Sequence, residues 1–197
     1  MNVQRYFIAA GLVCIISQLV GCASAPEQLY TLEAASAINR APLHLESPYV
    51  LVGPIQLPEL IDRPQLVIRN GEYSIDINEQ QRWATPLKES LPRVIAAELN
   101  LHLLKENFIA SSPNMVSSPS ARLLIEIISF DLSPSGANIV AHWSYRPTDK
   151  HLKPIEHLSQ AKAAAKTANY LEYVDAARRA VQVLAEDIAN KLRYEQK

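Results

Sequence analysis

Few residues in this chain have both the type and the spacing that chemistry needs. The five histidines, His44, His102, His142, His151 and His157, include no HxxxH or HExxH pair, so no two sit one helical turn apart as metal ligands on a helix do. Five glycines in 197 residues form no P-loop, GxGxxG or GxSxG turn to cradle a phosphate or raise a nucleophile. A hairpin could gather the acids Asp62, Asp76 and Glu79, although solvated surface carboxylates are the commoner outcome. Arg82 and Trp83 could shelve a ligand, or the tryptophan could pack over a helix start, as it does more often. We therefore expect no enzyme, no metal site and no cofactor. The exception is a thiol. Cys22 follows Leu19, Val20 and Gly21 at the end of an uncharged run that begins at Tyr6, with Arg5 as the one charged side chain ahead of it. A charged start, a short apolar run and a small residue before the cut are the parts of a secretory signal peptide. The run is too short to span a bilayer comfortably, and Ser24-Ala25-Pro26 breaks any helix straight after it.

Leu19-Val20-Gly21-Cys22 resembles the lipobox of bacterial lipoproteins. The resemblance implies that the Cys22 thiol carries a diacylglyceryl group, that residues 1–21 are removed as a signal peptide and that the new amine is acylated. One acyl chain holds a membrane only marginally, at about 0.8 kcal/mol per buried methylene, whereas two or three make a lasting anchor. Cys14 leaves with the signal peptide, so no disulfide can form and no thiol stays free. In such lipoproteins an aspartate directly after the cysteine retains the protein at the inner membrane. The residue here is Ala23, which points to the outer membrane with the domain facing the periplasm. Residues 22–28 are then a lipidated tether and 29–197 the folded domain.

Composition bounds what that domain can meet. The sequence has 19 basic and 20 acidic residues and a net charge of −1; losing Arg5 makes it one unit more negative. No Lys/Arg cluster offers nucleic acid a basic face. With 48% apolar residues, no low-complexity tract and no internal repeat, one domain burying roughly 70% of its unfolded surface is expected.

Local patterns predict the elements. Leu29–Leu32 reads as a short strand, Glu33–Pro48 as a surface loop, and Tyr49–Val52 as a strand buried on both faces and closed by Gly53-Pro54. Leu66–Arg69 and Tyr73–Ile77 flank Asn70-Gly71, a strong hairpin signal because both turn residues tolerate positive φ. Thr85 then reads as an N-cap with Pro86 in the first helical position. A stripe of Leu87, Leu91, Ile95, Leu99 and Leu103 follows, and Pro92 should kink this helix or delay its start to about Ser90. Phe108–Ala110 suits a short strand and Ser111–Ser120 a loop. The runs 122–132, 139–145 and 155–162 suit an antiparallel meander. Tyr170, Val174, Ala177, Val181, Leu184, Ile188 and Leu192 mark a second amphipathic helix, too short in heptads for a coiled-coil seam. The expected fold is α/β: a single layered domain whose mixed, mostly antiparallel sheet is packed by two main amphipathic helices.

Together with the lipobox and the final helix, four segments carry a wider resemblance: Tyr30-Thr31-Leu32, Val52 to Pro58, Asp62 to Val67, and Arg82 to Leu87. Over nearly its whole length the chain resembles the PqiC/YmbA family of ABC-type transport auxiliary lipoproteins. The resemblance implies a non-enzymatic outer-membrane lipoprotein that docks an MCE-domain protein in moving lipid across the envelope, with a covalent lipid on Cys22 in place of a cofactor. Two other classes remain: a structural or regulatory lipoprotein that binds another envelope machine such as a cell-wall synthase, and a hydrolase with an unrecognised site. Homo-oligomers also stay open. For the partner contact the candidates are Leu57, Leu60, Ile61, Asp62 and Arg63, an apolar centre with charged edges between prolines. The same leucines could equally fall back onto the core, which is the commoner fate of apolar loop residues.

Overall fold

The computed structural model describes residues 26–34, 49–103, 107–110 and 118–195. The expected signal peptide, Cys22 and most of the Glu33–Pro48 and Ser111–Ser120 loops lie outside them. The described chain runs β1 (Gln28–Tyr30), β2 (Tyr49–Gln56), β3 (Gln65–Arg69), β4 (Ile75–Trp83), α1 (Leu87–His102), β5 (Asn107–Ala110), β6 (Ala121–Ser133), β7 (Gly136–Pro147), β8 (Ile155–Ala164) and α2 (Tyr170–Glu195).

All eight strands join one mixed sheet organised around β6. Along one edge of β6 lies β7, antiparallel from Ala121↔Pro147 to Ser133↔Gly136, and beyond it β8. The other edge is shared. Its first half takes β2, parallel from Val50↔Ala121 to Gln56↔Glu126, with β5 outside it. Its far end takes β3 at Ile68↔Leu132, followed by β4 and then β1, which runs parallel to β4. The longest ladders are the antiparallel ones, as the meander pattern predicts.

Both helices cover one face. α1 lies over β2 and β5, and α2 over β6, β7 and β8. Strand alternation sends Leu123, Ile125, Ile127, Ile139, Ala141 and Trp143 into the shared core, whereas Arg122, Glu126 and His142 on the opposite face are exposed. α2 meets the sheet through fully buried Ala176, Ala177, Ala180, Ala185 and Ala189, with Val181, Leu184 and Ile188 among them. Small side chains on that stripe let the helix backbone come close to the strands, and the branched ones fill the gaps.

Several local expectations are corrected. Pro86, not Thr85, occupies the N-cap, and no side chain caps the helix. The Pro86 carbonyl instead accepts from Glu89 N at 2.9 Å and Ser90 N at 3.0 Å, so helix α1 begins at Leu87 and not at Ser90. Pro92 is tolerated inside it, buried on the core side, and the carbonyl of Glu89 is taken by the Arg93 side chain at 2.8 Å. The Asn70-Gly71 turn is longer than two residues: Asn70 N donates to Ser74 O at 2.9 Å, and Tyr73 stands at the hairpin tip, 92% exposed, instead of opening a strand. Trp83 ends β4. At the turn into β7, Gly136 has φ +135° and a Cβ there would lie 2.0 Å from the Ala163 carbonyl oxygen, so no other residue fits.

Candidate functional site

The expected contact loop bridges β2 and β3 on the shared edge of β6. Ile61 N and Asp62 N both donate to Pro58 O at 3.1 Å, a tight turn that folds the apolar side chains inward. Ile61 is buried, while Leu57 and Leu60 are half-buried and pack against the core. Asp62 is exposed and pairs with Lys88 in the first turn of α1. Arg63 is half-buried, and its Nε is enclosed without a hydrogen-bond partner. The apolar members of the loop thus face inward, and the charged ones form its rim.

Beneath the loop, segments far apart in sequence meet at Trp83. Its main-chain N–H donates to Pro64 O at 2.7 Å, and Ala84 N donates to Tyr30 O at 2.8 Å. The indole is 6% exposed and lines a shallow depression with Ile61, Leu87, Phe130 and Leu132. A second depression continues from it past Leu60 and Ile75 to the Arg69–Asp131 ion pair, where the guanidinium donates at 2.9 and 2.7 Å. Their empty volumes, about 230 and 190 Å³ with open solvent included, fall below the roughly 300–1,000 Å³ of small-molecule pockets. Trp83 packs over the start of α1 and makes no ligand shelf, and Arg82 pairs with Glu27 at 3.1 Å.

The other polar residues singled out from the sequence are dispersed. Asp62 meets Lys88 and Glu79 accepts from Gln65 Nε2 at 2.9 Å, so these two acids are held by different partners, and Asp76 is exposed on β4. Among the described residues no three His, Cys, Asp or Glu side chains cluster as a metal site would require. No described helix is long and apolar enough to cross a membrane.

One buried network escapes sequence reading. Ser159 Oγ donates to Asp187 Oδ2 at 2.5 Å while accepting from Trp143 Nε1 at 2.9 Å and from Lys191 Nζ at 2.9 Å. Lys191 also reaches Asp187 at 2.7 Å. The hydroxyl is 3% exposed and its donor and acceptor capacity is used, so this arrangement fastens α2 to β8. Its one legible trace is the i, i+4 spacing of Asp187 and Lys191. Nearby, His157 Nε2 lies 2.6 Å from Glu195 Oε1. On the opposite flank Tyr30 packs against Tyr170 with ring centroids 6.5 Å apart, and burial followed by Tyr170 pushes its hydroxyl pKa up.

Comparison with known proteins adds three findings. The family model described as ABC-type transport auxiliary lipoprotein component matches residues 30–189. A crystal structure of an uncharacterised protein superposes with a TM-score of 0.67 at 16% identity, over 85% of this chain and 99% of that one. A DUF330-family protein from Xanthomonas campestris superposes with a TM-score of 0.62 at 12% identity, over 86% and 99%. At such identities the structural likeness speaks for the fold alone. No curated protein sequence matches.

Proposed function

The chain belongs to the ABC-type transport auxiliary lipoprotein components, and from that premise we propose that it is an outer-membrane lipoprotein, anchored by lipid on Cys22, that docks an MCE-type partner of a lipid transport system without catalysing a reaction. The supporting observation is the meeting at Trp83 of three of the segments that carry the family resemblance. Tyr30, Pro64, and Trp83 with Leu87 come from three stretches of the chain and build one junction that holds the 57–64 loop against the end of β6. A loop presented on so rigid a support suits partner binding. In this reading the contact is made by the charged rim, Asp62 and Arg63, around what remains accessible of Leu57 and Leu60, while Ile61 positions the loop from below.

The test is affinity capture from envelope membranes with the lipidated protein. Capture of an MCE-domain protein is expected; capture of a cell-wall synthase alone would replace this reading with the second class of envelope lipoprotein. Cys22→Ala should leave the protein unprocessed or mislocalised, and outer-membrane retention of that variant would remove the anchor. Asp62→Ala changes an exposed side chain, so its stability should stay within about 0.5 kcal/mol of wild type while capture weakens. Unchanged capture would take the loop out of the interface.

A further inference from the structure

The direction in which the chain enters the fold bears on how the domain sits. Strand β1 runs parallel to β4, with Gln28 beside Gln81 and Tyr30 beside Trp83. Followed backward from Gln28, the chain therefore heads toward the beginning of β4, where the β3–β4 hairpin turns through residues 70–74. Glu27 is still held at this edge by Arg82.

The strand directions place other features at the same end of the sheet. β3 and β6 are parallel, β7 and β8 return and go again, and so the hairpin tip, the turn before Gly136 and the last residues of β8 leading into α2 lie together. The first turn of α2 is tied to this edge, since Asn78 Nδ2 donates to the Tyr170 hydroxyl at 3.4 Å.

At that end three large apolar side chains stand in solvent: Tyr73, Leu171 and Ile75, exposed by 92%, 73% and 40%. Cys22 precedes Pro26 by four residues, so covalent geometry keeps it within about 14 Å of Pro26. An anchor on so short a lead confines this end of the molecule to the bilayer surface.

We propose that the hairpin tip and the first turn of α2, through Tyr73, Leu171 and Ile75, rest in the headgroup layer of the membrane that holds the Cys22 lipid. The lipid surface is then a second, noncovalent partner that fixes the orientation of the domain and points the 148–153 turn away from the bilayer. The inference rests on the reading of Cys22 as the lipidated residue. Tyrosine and leucine suit that depth, with an apolar body and, for tyrosine, a polar tip. Glu72, Asp76 and Glu79 on the same hairpin make a zwitterionic surface the fitting one, with insertion and not cationic attraction supplying the contact. A weak insertion suffices because the anchor makes it intramolecular.

The experiment uses the full-length, processed protein in vesicles of phosphatidylethanolamine and phosphatidylcholine with brominated acyl chains. Tyr73→Cys, Leu171→Cys and Leu152→Cys each introduce one thiol for an environment-sensitive fluorophore. Leu152 is the control, 60% exposed but in the turn at the opposite end. Labels at 73 and 171 should be quenched by the brominated lipid and protected from aqueous iodide, with the reverse at 152. Three labels that behave alike in protein that floats with the vesicles would overturn the orientation and leave the anchor standing. Protein that fails to float would overturn the Cys22 reading and this proposal with it. Added anionic lipid should not increase quenching at 73; an increase would assign the contact to cations and overturn its apolar basis.

Discussion

Asp175, on the second turn of α2, holds two guanidinium groups at once: Arg178 at 3.0 Å and Arg179 at 2.9 Å. The hydrogen bond from Arg178 above all, with Arg179 adding to it, keeps the carboxyl pKa below its ordinary 3.8 against the opposing push of burial. A carboxylate depressed in the folded state contributes stability above its unfolded pKa and loses it as pH falls through the folded one. The stability gap between wild type and Asp175→Asn should therefore be widest above the ordinary carboxylate pKa of 3.8 and close as the pH falls below it through the depressed folded value. The Asp is partly exposed, so the gap should be small. Thermal melts across that range check it, and a gap constant with pH would show that the variant acts through packing. Single residues also mark where sequence reading stopped. The Asn70-Gly71 signal located a turn but could not show that it takes in Tyr73. Leu60 and Ile61 fit a core and an interface equally well, because a loop has no periodicity to tell one side from the other.

Elements with strong periodicity were legible, and elements defined by distant partners were not. The alternation of β6 and β7 and the stripe of α2 needed no tertiary information. That β1 pairs with β4 and β3 with β6, both in parallel, follows from contacts across dozens of residues for which no local signal exists. The start of α1 was misread because Thr85-Pro86 fits a cap motif one residue early. The sheet edges show a further feature of this level. On β5 both main-chain groups of Phe108 are taken by the Asn100 side chain from α1, at 2.7 and 2.9 Å. On β8 the carbonyl of Ala164 accepts from Arg179 at 2.7 Å and that of Leu158 from Lys191 at 3.4 Å. Edge strands left open recruit other strands, and these helix side chains occupy them. Asn100→Ala should cost about 1–3 kcal/mol, the usual penalty for partnerless buried main-chain groups, measured by urea unfolding. A cost near zero would mean that water replaces the amide.

For the molecule as a whole, one core cluster includes residues from seven of the strands and both helices, so the domain should unfold as a unit. Removing α2 would expose the faces that Val181, Leu184, Ile188 and Leu192 now cover. At about 1.5–3 kcal/mol for each such side chain, that loss is comparable with the whole stability of an ordinary domain, about 5–15 kcal/mol. A chain ending before Tyr170 should aggregate; a soluble product with an unchanged melting temperature would refute the single-core reading. The layered fold could be anticipated from element order, but the junction at Trp83 could not, since its parts are spread from Tyr30 to Leu87 and meet only once the sheet has formed.

The pairing of β1 with β4 also decides how the domain answers a pull. A force that reaches Gln28 through the segment before it, directed back along the strand, runs parallel to the β1–β4 ladder. It loads the bonds from Gln28 to Tyr30 together in shear instead of peeling them one after another. A short strand that would unzip readily from its end thus becomes a mechanical clamp, and a pull on the segment before Gln28 is borne by the sheet before it can open the core.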